Sequence, residues 1–374
     1  MFDAPSRILM TGDTIGGVWS YCMELARSRE WKDIRICLAT MGAKLSASQR
    51  AEVAQLENLE LVESSFKLEW MDVPWSDVER AGEWLLELED RFKPDIVHLN
   101  GYAHGGLPFR APRVVAAHSC VLSWWEAVKR VAAPPQWNEY REHVSAGLRS
   151  ADSVVAPSTA MMENIERLYG AVENWRVIYN GCDGRNFRRG PKEPLILAAG
   201  RLWDEAKNIR ALAEIAECVR WPVCVAGDNQ GPECKEPIEA GRGVTCPGKV
   251  SRAELADWYS HASIYALPAR YEPFGLSVLE AALSGCALVL GDIASLRELW
   301  DGAALFVDPD DPSELARALN HLVHNPDQRR SLSQAAELRA REYNTSRMAA
   351  AYLELYRSLM FNPAKQMKDL VPCA

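Results

Sequence analysis

A chain of 374 residues is too long for one compact core and implies two domains. Its 48% hydrophobic and 25% charged content is that of a globular protein, and a net charge of -9 excludes a duplex-DNA binder, which needs basic surface to neutralise phosphates. The ten cysteines are scattered and form no CxxC pair, so they read as free thiols rather than as a zinc site or a disulfide framework.

In chain order, short apolar runs at 8–11, 34–39, 95–100, 114–118, 153–157 and 176–179 predict buried strands, most of them bounded by Gly, Pro, Asp or Asn. Amphipathic stretches between them, such as 77–92 and 159–169, predict helices, and this alternation implies a parallel sheet covered on both faces. The start of the chain shows no signal-peptide pattern, and no segment approaches the roughly 20 apolar residues that span a bilayer. A cytoplasmic protein is expected, with peripheral membrane contact left open. Arg110, Arg113, Lys129, Arg130, Arg141 and Arg149 read first as solvated faces and second as an acceptor or membrane patch.

After the first strand, Gly12-Asp13-Thr14-Ile15-Gly16-Gly17-Val18 is a loop that lets backbone approach a ligand closely and opens a helix beneath it. A dinucleotide-binding oxidoreductase competes for this loop, weakened because the spacing is not GxGxxG and no acid closes the second strand. His118, at the end of a strand, is either structural or a partner for a donor-sugar hydroxyl, its carbonyl also being suited to positive charge at an anomeric carbon. Trp124 and Trp125 offer flat faces to an acceptor sugar, or equally serve as loop anchors packed into the core.

The polar stretch 180–194 reads as an interdomain linker, after which the same rhythm restarts with strands at 195–199, 223–226, 264–267, 287–290 and 304–307. Gly200-Arg201-Leu202-Trp203-Asp204-Glu205-Ala206-Lys207 follows the first of these. An arginine fork and a lysine charge at a strand end suit a pyrophosphate leaving group, although Lys207 also reads as a solvated residue near a helix start. The strongest signal is Glu272-Pro273-Phe274-Gly275-Leu276-Ser277-Val278-Leu279-Glu280. Free amides at the helix start after Gly275 suit a diphosphate; Glu272 on the loop and Glu280 inside the helix suit sugar and ribose hydroxyls. The bland alternative is an acid favoured by the helix dipole and an ordinary mid-helix Glu. Asp308-Pro309-Asp310 reads as a helix cap before Pro312 rather than as a metal-binding DxD motif. Residues 344–360 predict a last helix with Met348, Tyr352, Leu355 and Leu359 on one face.

Together these loops resemble the retaining glycosyltransferases of family 4, also called glycosyl transferases group 1. The resemblance covers nearly the whole chain, and its sharpest element is the E-x7-E pair Glu272 and Glu280. It implies an α/β fold of GT-B type, with two Rossmann-like doubly wound domains facing across a cleft: 1–180 on the acceptor side, 181–343 on the donor side, and a terminal helix within 344–374 returning to the first. It further implies that Arg201 and Lys207 bind a diphosphate, that Glu280 binds the ribose, and that Glu272 and His118 hold the transferred sugar. Gly16 and Gly17 line the phosphate side, Phe274, Gly275 and Leu276 belong to the donor loop, and Ser277 and Val278 lend amides. One departure is that five residues separate Arg201 from Lys207, where four is common in the family. The implied reaction moves a hexosyl group from a nucleotide sugar, UDP by default, to a sugar, small-molecule or lipid-linked acceptor, with retention and with no metal or other cofactor. No nucleic-acid partner is expected. A non-hydrolysing nucleotide-sugar epimerase and a non-catalytic nucleotide-sugar binder are the rival readings.

Overall fold

The apolar runs form strands because the sheets they build are covered on both faces, leaving no exposed residue in central strands such as those at Ile96–Leu99 and Ala262–Leu267. A computed structural model describes residues 4–229 and 241–361. The first half contains β1 (Arg7–Asp13), α1 (Gly17–Ala26), β2 (Arg35–Met41), α2 (Ala47–Val53), β3 (Leu59–Glu63) and α3 (Trp75–Phe92). It continues through β4 (Ile96–Leu99), β5 (Arg113–Ala116), α4 (Val121–Lys129), α5 (Asn138–Ser150), β6 (Ser153–Ala156), α6 (Thr159–Tyr169) and β7 (Trp175–Val177). The strands make one parallel sheet in the order β3-β2-β1-β4-β5-β6-β7.

The second half contains β8 (Glu193–Ala199), α7 (Ile209–Ile215), β9 (Val223–Ala226), β10 (Val244–Gly248), α8 (Arg252–His261), β11 (Ala262–Leu267) and α9 (Leu276–Leu283). It ends with β12 (Ala287–Gly291), α10 (Ala294–Trp300), β13 (Ala304–Val307), α11 (Pro312–His324), α12 (Pro326–Ala340) and α13 (Thr345–Met360). Its strands form a second parallel sheet, β10-β9-β8-β11-β12-β13. The fold is therefore α/β with two Rossmann-like doubly wound units.

β7, expected as a buried strand at 176–179, runs over Trp175–Val177 at a sheet edge and is largely exposed. Two further strands, β3 and β10, escape the apolar-run rule. Both lie at sheet edges, where one flank is open, and their sequences LELVE and VTCPG mix polar, Pro and Gly residues accordingly. The stretch 180–194 is not a free linker. Cys182 and Phe187 are buried in the core of the second domain, and Cys182 pairs with Asn344 where the chain crosses back. α13 then buries Met348, Tyr352, Leu355 and Leu359 among Ile8, Ile36 and Trp31 of the first domain. The remainder of the expected returning segment, 362–374, lies outside the described residues. Among the described residues, no helix is long and apolar enough to cross a membrane.

Candidate active site

Each sheet reverses its winding at one point, between β1 and β4 in the first and between β8 and β11 in the second. Chains leaving the carboxyl ends of strands at such a point diverge and open a crevice. The loops leaving β1 and β8 carry the Gly16-Gly17 and Arg201–Lys207 motifs; the loop leaving β11 carries Glu272 and Gly275.

Two helix starts meet in this crevice. α1 begins at Gly16 (φ 85°) and α9 at Gly275 (φ 88°), and neither has a side-chain cap. Only glycine enters that left-handed region without strain, which lets both helices begin directly against the opposite domain. A Cβ on Gly17 would lie 3.7 Å from Leu276 Cδ1, so the two starts face one another closely. Each presents unpaired amides and a partial positive charge to whatever lies between. The Val278 amide is already bound to the Gly275 carbonyl at 3.0 Å, which removes it from the expected donor-binding set; the amides of Leu276 and Ser277 precede it in the first turn. The Ser277 hydroxyl meets the Tyr265 hydroxyl at 2.8 Å. Phe274 is buried against Tyr343, so its ring belongs to the core rather than to a ligand surface.

Arg201 reaches the same place from β8. Its Nη2 donates to Asp204 at 2.8 Å, its guanidinium lies over the Trp203 ring, and its Nη1 is the atom nearest to where a Cβ on Gly16 would stand, 4.0 Å away. Lys207 pairs with Glu272, whose other oxygen accepts from the Phe274 amide at 3.4 Å. The longer loop thus still delivers Lys207 to the E-x7-E loop. Asp13 stands at the end of β1 with Oδ1 accepting from the Ile15 amide at 2.8 Å. Burial pushes its carboxyl up to about 6, against the pull of that amide and of Arg201.

His118 Nε2 lies 2.7 Å from Asn100 Oδ1, while Asn100 Nδ2 donates to the Thr11 carbonyl at 2.6 Å. With the amide oriented by Thr11, His118 must be the donor, so Nε2 carries its proton and Nδ1 is the ring's acceptor. Burial holds its imidazole down to about 4, so it is neutral at pH 7. Glu280 sits within α9, where burial raises its carboxyl to about 7 although Arg252 draws it down; Glu24 across the domain boundary pushes it up.

Family models match both halves of the chain: "Glycosyltransferase Family 4" over residues 15–184 and "Glycosyl transferases group 1" over residues 193–325. The chain belongs to glycosyltransferase family 4. Among curated relatives, the D-inositol 3-phosphate glycosyltransferase of Xylanimonas cellulosilytica is 30% identical over 239 residues, 55% of this chain and 57% of the relative. The matched part thus spans little more than half of that relative's length. Among solved structures, the sucrose-phosphate synthase of Thermosynechococcus elongatus superposes with a TM-score of 0.79 at 19% identity, covering 95% of this chain and 99% of that one. Anabaena HepE, solved with UDP and glucose, gives 0.76 at 17% identity, covering 95% and 100%. These likenesses show a shared GT-B fold.

In this family 4 chain, several expected residues are held by contacts within the protein. Trp124 donates from Nε1 to Asp204 at 3.4 Å, linking α4 to the loop that carries Arg201, and the Trp125 Nε1 is buried with no hydrogen-bond partner. The basic stretch is largely paired: Arg110 with Asp90, Arg113 with Asp152, Lys129 with Glu205 and Arg130 with Asp310. The last two cross between domains. Asp310 is therefore an ion-pair partner, also of Arg270, and the cap of α11 is Asp311, which accepts from the Glu314 amide. Among the described residues, no group of three or more His, Cys, Asp or Glu side chains is placed to hold a metal ion. A cavity of about 320 Å³ beside Glu272 is lined by Ser123, Arg130, Arg167, Tyr271 and Ser295, but by neither Arg201 nor Lys207.

Sequence reasoning missed Asn100, Asp204 and Asp13. Asn100 and Asp13 stand at the ends of the two strands flanking the reversal point, and Asp204 lies three residues after Arg201; those placements were the available signals.

Proposed function

We propose that this protein is a retaining glycosyltransferase that moves a hexosyl group from a nucleotide diphosphate sugar to an acceptor hydroxyl. The observation that carries this reading is the convergence of two uncapped helix starts with Arg201 and Lys207 in one crevice. A diphosphate leaving there gains negative charge against fixed amides and cations, which stabilises the transition state without calling on a metal ion. The bond from the anomeric carbon to the diphosphate oxygen breaks, and the acceptor oxygen bonds to that carbon on the same face. The acceptor proton passes to the departing phosphate oxygen. Glu272, pre-oriented by Lys207 and the Phe274 amide, binds sugar hydroxyls, and neutral His118 offers Nδ1 or its carbonyl on the opposite wall.

UDP is the proposed nucleotide; HepE, which has the same fold, was solved with it. The relative whose name specifies D-inositol 3-phosphate adds a phosphorylated polyol to the sugar, small-molecule and lipid-linked acceptors worth testing. The protein is first screened against UDP-, GDP- and ADP-sugars for thermal stabilisation, since a ligand of the folded state raises its apparent stability. Acceptor-dependent release of nucleoside diphosphate is then followed, with NMR of the product. A product that keeps the donor's anomeric configuration is expected. An inverted product, or a donor sugar epimerised without acceptor, overturns the proposal.

A further inference from the structure

His118 is held on two sides, and one buried ring steadies both holders. Asn100 Oδ1 takes its Nε2 proton at 2.7 Å, and the Tyr21 ring meets the imidazole edge-on with centroids 4.6 Å apart. His98 Nε2 lies 3.2 Å from that same Asn100 oxygen and 3.1 Å from the Tyr21 hydroxyl. The Asn100 oxygen can only accept, so His98 Nε2 carries the hydrogen and shares it between the two. His98 Nδ1 is then the acceptor, and the Tyr356 hydroxyl donates to it at 2.5 Å. Tyr356 belongs to α13, so a run of hydrogen bonds through His98 and Asn100 links the returning helix to His118.

His98 is the one polar residue of β4, whose sequence is Ile-Val-His-Leu, and His98, Tyr21 and Tyr356 are each at most 1% exposed. An apolar residue would fill this place at less cost. A buried polar group is tolerated only with its hydrogen bonds made and, once they are made, it fixes a single arrangement. Burial, with His118 nearby, holds the His98 imidazole down to about 3, so it stays neutral near pH 7 as His118 does. Each neutral ring has one donor and one acceptor, and Nδ1 is left as the accepting nitrogen of His118. We propose that His98 is a positioning residue for His118. Through Asn100 and Tyr21 it holds that ring as a neutral acceptor for a donor-sugar hydroxyl, and Tyr356 fixes the tautomer of His98 itself. This role rests on the reading of His118 as a sugar-binding residue, and makes Nδ1 rather than the carbonyl its contact.

Hydrolysis of UDP-, GDP- and ADP-glucose is followed as release of the nucleoside diphosphate, whose affinity is measured by calorimetry. Heteronuclear NMR of histidine-labelled protein reads the His118 tautomer, and circular dichroism checks folding. His98→Leu, which keeps bulk but no polar atom, is expected to turn over about tenfold more slowly at unchanged diphosphate affinity. Its His118 nitrogen signals move toward each other as the ring samples both tautomers. His98→Gln keeps an amide donor for Asn100 and restores most of the rate and the single-tautomer signature. Tyr356→Phe removes only a hydroxyl, shows the same changes in smaller measure, and decides the matter if His98→Leu fails to fold. A wild-type rate and an unchanged His118 signature in the folded variant overturn the role. Equal losses in His98→Gln and His98→Leu, the mark of packing alone, overturn it too. If His118→Ala slows hydrolysis while His98→Leu does not, the positioning role falls and the reading of His118 stands. If His118→Ala leaves the rate unchanged, the reading of His118 falls and takes the role with it. If the wild-type protein hydrolyses none of the three sugars, the donor reading falls and the role with it.

Discussion

Glu280→Gln isolates the cost of keeping a carboxylate inside α9. Burial moves this carboxyl from 4.5 to about 7 in the folded protein. At about 1.36 kcal/mol per pH unit, its ionisation costs the folded state up to about 3 kcal/mol. The sign follows from which state ionises first. As pH rises past 4.5 the unfolded chain releases the proton while the folded chain holds it, so stability is full below pH 4.5 and is lost progressively up to about 7. Glutamine has the same shape and never ionises. Denaturant unfolding of wild type and Glu280→Gln at pH 4.5, 6 and 8 should show little difference at the lowest pH and a variant more stable by about 1 to 3 kcal/mol at the highest. That gain should come with weaker nucleotide binding, because glutamine keeps one accepting oxygen but loses the second acceptor and the negative charge that a pair of ribose hydroxyls donates to. A difference independent of pH, or a variant less stable at pH 8, would refute the reasoning.

Asp204→Ala removes the partner of Arg201 together with the acceptor for the Ala206 amide. Steady-state kinetics should show kcat/KM down by about tenfold, because a mispositioned charge clamp stabilises the transition state less. Gly275→Ala forces a Cβ onto a φ of 88° and to 3.1 Å from Val278 Cγ2. Denaturation should show a loss of about 1–2 kcal/mol, and calorimetry a weaker affinity for UDP, because the start of α9 must shift.

The strands read most clearly from sequence are the central ones, such as β4 and β11, where burial on both faces demands an unbroken apolar run. Edge strands β3 and β10 lack that demand and left no such run. The site divides similarly. Glu272 and Glu280 stand out because one loop and one helix set their spacing. Lys207 pairing with Glu272, Asn100 orienting His118 and Glu24 holding Arg252 join residues far apart in the chain, and no local pattern records them. Asp310 shows the opposite error: its position before Pro312 suggested a cap, while its charge is spent on Arg130 and Arg270. The residues at 180–194 look polar and linker-like because only two of them, Cys182 and Phe187, are needed to anchor the crossing in the core.

The measurement that bears most directly on the crevice is the turnover of Arg201→Ala with saturating nucleotide sugar and acceptor. If cations and helix amides together receive the departing diphosphate, kcat falls by about 10²-fold or more while the protein stays folded. Turnover equal to that of the wild type would mean that the leaving group departs elsewhere.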